Sequence, residues 1–231
     1  MREILTLPKH PEGLTTVQEN LLLQLFNIGA VKFGGFPLKL HQNHPEAPLS
    51  PIYFDLRRLQ RYPKVKKAAV DSYYELAKPL RFDLLAGIPL ASIPLVSSLS
   101  DKLGVGMITP RIDRKGYGTG EQIDGFEKSD RGKTALLMDD LISGAHSKLE
   151  AVTILIENKL TVTDIVVLID RDQGGREQLA ERGLTLHSAM KISQILDLYG
   201  RIGLINIDDR ARIDKDLQDL NRFLALYRQQ Q

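Results

Sequence analysis

The chain contains no cysteine. That excludes disulfide cross-links and thiolate metal sites, and with them any sign of an oxidising compartment. It also lacks an apolar run of the roughly 18 residues needed to span a bilayer. Its start, MREILTLPKHPEG, carries no apolar stretch of the secretory kind. A strong charge of either sign is missing too: 31 Lys and Arg against 29 Asp and Glu leave a formal net charge of +2. Proteins that bind a bulk polyanion such as duplex DNA normally cluster their basic residues, so neither nucleic acid nor a membrane is expected as a partner. The histidines (His10, His41, His44, His146 and His187) have no zinc-ligand spacing, and neither a GxSxG nor a Walker motif occurs. What is present is an ordinary globular composition, 42% hydrophobic and 26% charged over 231 residues, enough for one large domain or two small ones. A cytoplasmic protein is the expectation.

Apolar residues at helical spacing predict a helix over residues 14–27, capped by Thr15 or Thr16 and ended by Gly29. Residues 31–55 read as short extended pieces separated by a polar excursion, HQNHPEAPLS, and helical spacing returns over 64–78. From residue 82 the texture becomes repetitive. FDLLAGI, VGMITP, TALLMD, DIVVLI and, more weakly, LTLHSAM are short apolar runs, with helical stretches at 91–103, 147–158 and 176–182 between most of them. Such alternation predicts an α/β fold whose parallel sheet is covered on both faces. Residues 111–132 break the pattern with five glycines and many charges, and a polar stretch of that length is usually functional or mobile. An amphipathic helix over 212–228 closes the chain.

Three segments could carry chemistry. In LLMDDLISGAHS (136–147) a buried strand delivers Asp139 and Asp140 at its carboxyl end, where ligands bind in open parallel sheets. The Ser/Gly loop and helix start after it suit phosphate. Carboxylates repel phosphate, so the pair points to sugar hydroxyls or a Mg²⁺-linked ligand. The same letters also suit a strand end capped by Asp and a helix capped by Ser. The glycine-rich stretch holds Arg111, Arg114, Lys115 and Tyr117, either a closing anion cover or a solvated surface loop. In IDRDQGG (169–175), Arg171 could grip a carboxylate with two parallel hydrogen bonds or pair with Asp170 or Asp172.

Five ordered blocks, spanning about residues 25–198, resemble the orotate phosphoribosyltransferases, including the phosphoribosyltransferase half of UMP synthase. KFGGFPLK with SPIYFDLR resembles the base-binding segment, FDLLAGIPLASIPL the first core strand and diphosphate loop, and RIDRKGYGTGEQIDG the mobile catalytic loop. TALLMDDLISGAHS resembles the signature for 5-phospho-α-D-ribose 1-diphosphate (PRPP), and IDRDQGGREQLAERGLTLHSAMKISQIL the orotate-binding strand end and the segment after it. The resemblance implies a type I phosphoribosyltransferase fold: a parallel central sheet flanked by helices with a small N-terminal hood. The hood would occupy 1–63, the core 64–204 and a C-terminal helix 205–231.

It further implies transfer of phosphoribose from PRPP to N1 of orotate, with Mg²⁺ held mainly by the substrate rather than by direct protein ligands. Asp139 and Asp140 would hold the ribose hydroxyls, directly or through Mg²⁺ and water. Ile142, Ser143, Gly144, Ala145, His146 and Ser147 would cradle the 5′-phosphate, and Leu90 and Ala91 would form the diphosphate turn. Lys39, Tyr53 and Phe54 match positions around the base and PRPP. Ser143 would also lie beside orotate, and Arg171 would pair with the orotate carboxylate. Arg111, Lys115 and Tyr117 would cover the diphosphate, with Lys115 serving the neighbouring subunit of a homodimer. The sequence departs from the family at Ala145, where a glycine is usual, at the bulkier His146, at Ile112 in place of a loop lysine, and in the insertion HQNHPEAP after Lys39. These departures keep two alternatives in view: a non-catalytic or regulatory protein of this fold that binds PRPP or a nucleotide, and transfer to another base.

Overall fold

A computed structural model describes residues 13–112 and 122–229. Arg114, Lys115 and Tyr117 lie outside the described residues. Helix α1 (Thr16–Asn27) starts where its sequence supplies a cap: the Thr15 hydroxyl accepts from the Gln18 N–H while Gln18 Oε1 accepts from the Thr15 N–H. Gly29, at φ 69°, turns the chain out of the helix. Strand β1 (Val31–Phe36) comes next and pairs antiparallel with β2 (Ser50–Phe54). Helix α2 (Pro63–Ala77) opens on a proline, where the missing N–H has no acceptor to lose.

The remaining elements are β3 (Leu84–Gly87), α3 (Ile93–Leu103), β4 (Met107–Pro110), β5 (Ile123–Asp124), β6 (Ala135–Ile142) and α4 (His146–Glu157). After them come β7 (Asp164–Asp170), α5 (Gly175–Ala180), β8 (Thr185–Lys191), α6 (Ile192–Arg201) and α7 (Ile207–Gln229). The large sheet runs β5-β4-β3-β6-β7-β8. Every neighbouring pair in it is parallel except β4 with β5. The expected parallel central sheet is present, and at one edge the short β5 folds back antiparallel on β4.

Alternate residues of the central strands feed two cores. Leu136, Met138, Val166 and Leu168 join α1, α2, α6, the hood strands and the first half of α7 in one cluster. Ala135, Leu137, Ile165 and Val167 pack with Ala151 and Leu155 of α4 and Leu179 of α5 in the other. This two-sided burial is why the strands read as continuous apolar runs. The hood owns no separate core, since Leu21, Ile52 and Phe54 sit in the first cluster. The chain leaves β3 toward one edge of the sheet and β6 toward the other. Strand order thus reverses between β3 and β6, and the crevice outside their carboxyl ends is where such sheets bind ligands. Among the described residues no helix is long and apolar enough to cross a membrane.

Candidate active site

Strand β6 brings Asp139 and Asp140 to that crevice in unequal states. Asp139 is 6% exposed and fully engaged. Lys148 Nζ lies 2.6 Å from its Oδ2 and donates to the Leu141 carbonyl at 2.7 Å, while Oδ1 accepts the Asp140 N–H at 2.9 Å. The Tyr73 hydroxyl donates to the Asp139 carbonyl at 2.7 Å, and burial holds that phenol neutral by raising its pKa well above the usual value. Asp140 lies at the edge of this network, accepting the Leu141 N–H at 2.9 Å. Burial, and then the charge of Asp139, pushes its carboxyl up to about 7. A cation or a set of hydroxyl donors arriving at Asp140 would favour its ionised form.

The loop after β6 opens α4. Ala145 caps the helix at φ −89°, ψ −4°, so the substitution of a usual glycine costs no left-handed strain here. Its N–H donates to Gln178 Oε1 at 2.7 Å, which ties the loop to α5 and removes this amide from the cradle. Ile142 and Ala145 bury their side chains in the second core and can offer only backbone groups. Ser143 and Ser147 are half-buried, Gly144 is exposed, and His146 turns to solvent with Glu150 3.5 Å away. The first-turn N–H groups of α4 have no acceptor within the helix and suit a phosphate.

At the end of β7 the local acids do not take Arg171. Asp170, 1% exposed, is claimed by Arg176, whose Nε donates to Oδ2 at 3.0 Å while its other nitrogens reach the Leu186 carbonyl and Ser188 Oγ. Asp172 faces Lys191 and Ser193 at 3.6 and 3.4 Å. Arg171 crosses instead to the hood. Its Nη2 donates to Ser50 Oγ at 2.7 Å, its backbone N–H bonds the Ile142 carbonyl, and its buried Nε has no acceptor among the described residues. Burial lowers its pKa to about 10, so it remains a cation at neutral pH. Gly175 lets this loop touch the loop after β6: a Cβ there would lie 2.6 Å from Ile142 Cγ1 and 2.7 Å from the Ser143 carbonyl.

The other expected positions divide. Lys39 and Tyr53 are exposed on the hood, with Phe36 against the Tyr53 ring at 5.5 Å. Phe54, expected beside the base, is a core residue instead, because it comes after Tyr53 on a strand and faces the opposite side. Leu90 is 74% exposed and Ala91 half-buried in the turn between β3 and α3, where the Pro89–Leu90 peptide is cis. Arg111, expected over the diphosphate, instead makes a two-pronged pair with Asp124 across β4 and β5. Ile112 replaces a loop cation with a side chain that packs on the second core. Of the two strand-end acids only Asp140 is open to a metal ion, a donor set that suits a cation arriving on polyphosphate oxygens. Lys148, Gln178, Ser50 and Arg176 are residues of this crevice to which the sequence motifs assign no role; the last three lie inside the five motif blocks. For Lys148 a signal exists: it shares the buried face of α4 with Ala151, Val152 and Leu155 at helical spacing.

No family model matches the chain. It is 32% identical to the UMP synthase of Bos taurus over 89% of this chain and 42% of that protein. It is 35% identical to the orotate phosphoribosyltransferase of Caenorhabditis elegans over 80% of each, and 37% identical to that of Methanopyrus kandleri over 78% of this chain and 93% of the relative. Among solved structures, Leishmania donovani UMP synthase matches with a TM-score of 0.75 at 31% identity over 90% of this chain and 42% of that one. The Aeropyrum pernix orotate phosphoribosyltransferase matches with a TM-score of 0.69 at 28% identity, over 80% and 99%. The chain thus spans about two fifths of the UMP synthases it matches and most of the length of these orotate phosphoribosyltransferases. The sheet, its switch point and the acid-bearing loop define a type I phosphoribosyltransferase. Within that class, the chain belongs to the orotate phosphoribosyltransferase family.

Proposed function

We propose that this protein transfers the 5-phosphoribosyl group of PRPP to N1 of orotate, giving orotidine 5′-monophosphate and diphosphate. The observation that carries the reading is the buried Arg171, a cation whose Nε has no acceptor among the described residues, just past the end of the strand beside the one that presents Asp140. A planar carboxylate on the acceptor supplies what that guanidinium lacks. Asp140 accepts from the ribose hydroxyls, the start of α4 with Ser143, Gly144, His146 and Ser147 holds the 5′-phosphate, and Lys39 and Tyr53 bound the base from the hood. Asp139 acts through structure, keeping the strand end in place.

As the C1–O bond to diphosphate breaks, positive charge grows on the ribose and negative charge on the departing group. Cations set at the diphosphate end are therefore worth more in the transition state than before it. Lys115 and Tyr117 take that role by family position, and Arg111 joins them if its pair with Asp124 opens. Asp140 is the protein carboxylate that would face a substrate-borne Mg²⁺, and such an ion would neutralise part of the diphosphate charge.

We place Lys115 in the site of the partner subunit of a homodimer. Mixing Lys115→Ala protein with Asp140→Asn protein then restores about a quarter of wild-type turnover, because half the dimers are mixed and each has one intact site. No recovery on mixing two dimeric variants contradicts action across the interface. The activity itself is tested by incubating the protein with PRPP, Mg²⁺ and orotate and measuring orotate loss and diphosphate release together. Folded wild-type protein that turns over neither rules the reading out.

A further inference from the structure

The orotate-end loop is held by a helix that lies beyond the five motif blocks. Helix α7 is anchored in the core by Ile213, Leu217 and Leu220. Beyond Leu220 it leaves the core and crosses the residues 171–175 loop. Asn221 Oδ1 accepts from Gln173 Nε2 at 3.2 Å, and Asn221 Nδ2 donates to the Asp172 carbonyl at 3.4 Å. Arg228 Nη1 donates to the Gln173 carbonyl at 2.8 Å, with its Nε on the Leu224 carbonyl of its own helix. The guanidinium lies against Gly174, whose φ of 84° favours glycine.

The same helix end grips the hood. Tyr227 and Phe223 meet the ring of His44 edge-on, with centroids 4.7 and 6.2 Å away. His44 belongs to the polar excursion after Lys39. This segment and the far end of α7 are therefore partners, and α7 in turn bonds the loop that carries Arg171. Both buried side-chain atoms without a hydrogen-bond partner among the described residues, Arg171 Nε and Gln173 Oε1, lie in that loop. A segment holding an unpaired donor and an unpaired acceptor for a ligand must be fixed by contacts other than the ligand, or it will turn to satisfy itself.

We propose that the C-terminal half of α7 is a strap that positions the orotate-binding loop, with Arg228 and Asn221 as positioning residues and the His44–Tyr227 contact as its tie to the hood. This rests on the proposed assignment of Arg171 to the orotate carboxylate. It predicts that loosening the strap weakens the acceptor and leaves PRPP alone, because the strap's bonds run to Asp172 and Gln173 and not to the phosphate loop.

Two readouts on full-length Arg228→Ala test it. Backbone amide exchange of the ligand-free protein should be roughly tenfold faster over residues 171–175 and unchanged over 142–147. Steady-state kinetics should show KM for orotate raised about fivefold, with KM for PRPP and kcat within about twofold. Arg228→Lys, which keeps a donor for the Gln173 carbonyl, should recover most of both, and Tyr227→Ala should reproduce the exchange effect. Unchanged exchange over 171–175 in Arg228→Ala overturns the strap. Faster exchange with an unchanged orotate KM, or with both KM values raised alike, overturns its link to the acceptor. If the wild-type protein has no orotate turnover at all, the functional reading falls, while the exchange measurement still decides whether α7 holds the loop.

Discussion

The ends of β6 and β7 solve the same problem with opposite signs. Each carries a buried aspartate neutralised by a cation from the next helix: Asp139 by Lys148 of α4, Asp170 by Arg176 of α5. Each thereby leaves the adjacent residue uncompensated. Beside Asp139 that residue is Asp140, an acid whose pKa is lifted to about 7, and beside Asp170 it is Arg171, a base whose pKa is lowered to about 10. Both shifts come first from burial, which disfavours charge without a partner. The crevice therefore has one pole that wants hydrogen-bond donors or a cation and one that wants an anion. A sugar on one side and a carboxylate-bearing base on the other satisfy both at once.

The two strand ends diverge most if an internal ion pair is cut. Lys148→Met leaves a buried carboxylate unpaired and should cost about 3–5 kcal/mol of stability in urea unfolding, whereas adding Asp139→Asn should recover most of it. A single variant as stable as wild type would show that Lys148 is not what neutralises Asp139. Next in size, Arg171→Ala removes the anion pole. KM for orotate should rise roughly tenfold to a hundredfold with little change in PRPP binding by calorimetry; an unchanged KM would remove Arg171 from the acceptor site.

A pH-dependent effect concerns Asp140. Its folded pKa of about 7 lies above the ordinary 3.8, so the folded protein binds more protons than the unfolded chain between those values. Stability should therefore fall as pH rises through that window and level off above it. Asp140→Asn should flatten this slope and be the more stable protein at pH 8, while losing turnover. Parallel stability profiles for the two proteins would mean that Asp140 is not strained by its surroundings.

Much of this arrangement is legible in the sequence. The alternation of apolar runs with helices, the Thr15 cap and both strand-end motifs lie where the letters put them. The hidden features depend on distance or on abutment. The choice of Arg171 between Asp170, Asp172 and a ligand cannot be read locally, because its partner is Ser50, 121 residues away, and its neighbours are satisfied by Arg176, Lys191 and Ser193. Helix α6 has Ile192, Ile195, Leu196 and Tyr199 at helical spacing, yet it abuts β8 with no turn residue to announce it. Strand β5, two residues inside a polar stretch, is too short to show a period. The two-residue period of β2 distinguishes Tyr53 from Phe54, although the family resemblance treats them alike.

The central claim is that Arg171 recognises the acceptor's carboxylate, and the acceptor can be varied without touching the protein. Orotate and uracil differ at one position, carboxylate against hydrogen. With PRPP and Mg²⁺ fixed, kcat/KM for orotate should exceed that for uracil by at least about a hundredfold. Equal use of the two acceptors by the folded wild-type protein would contradict the account.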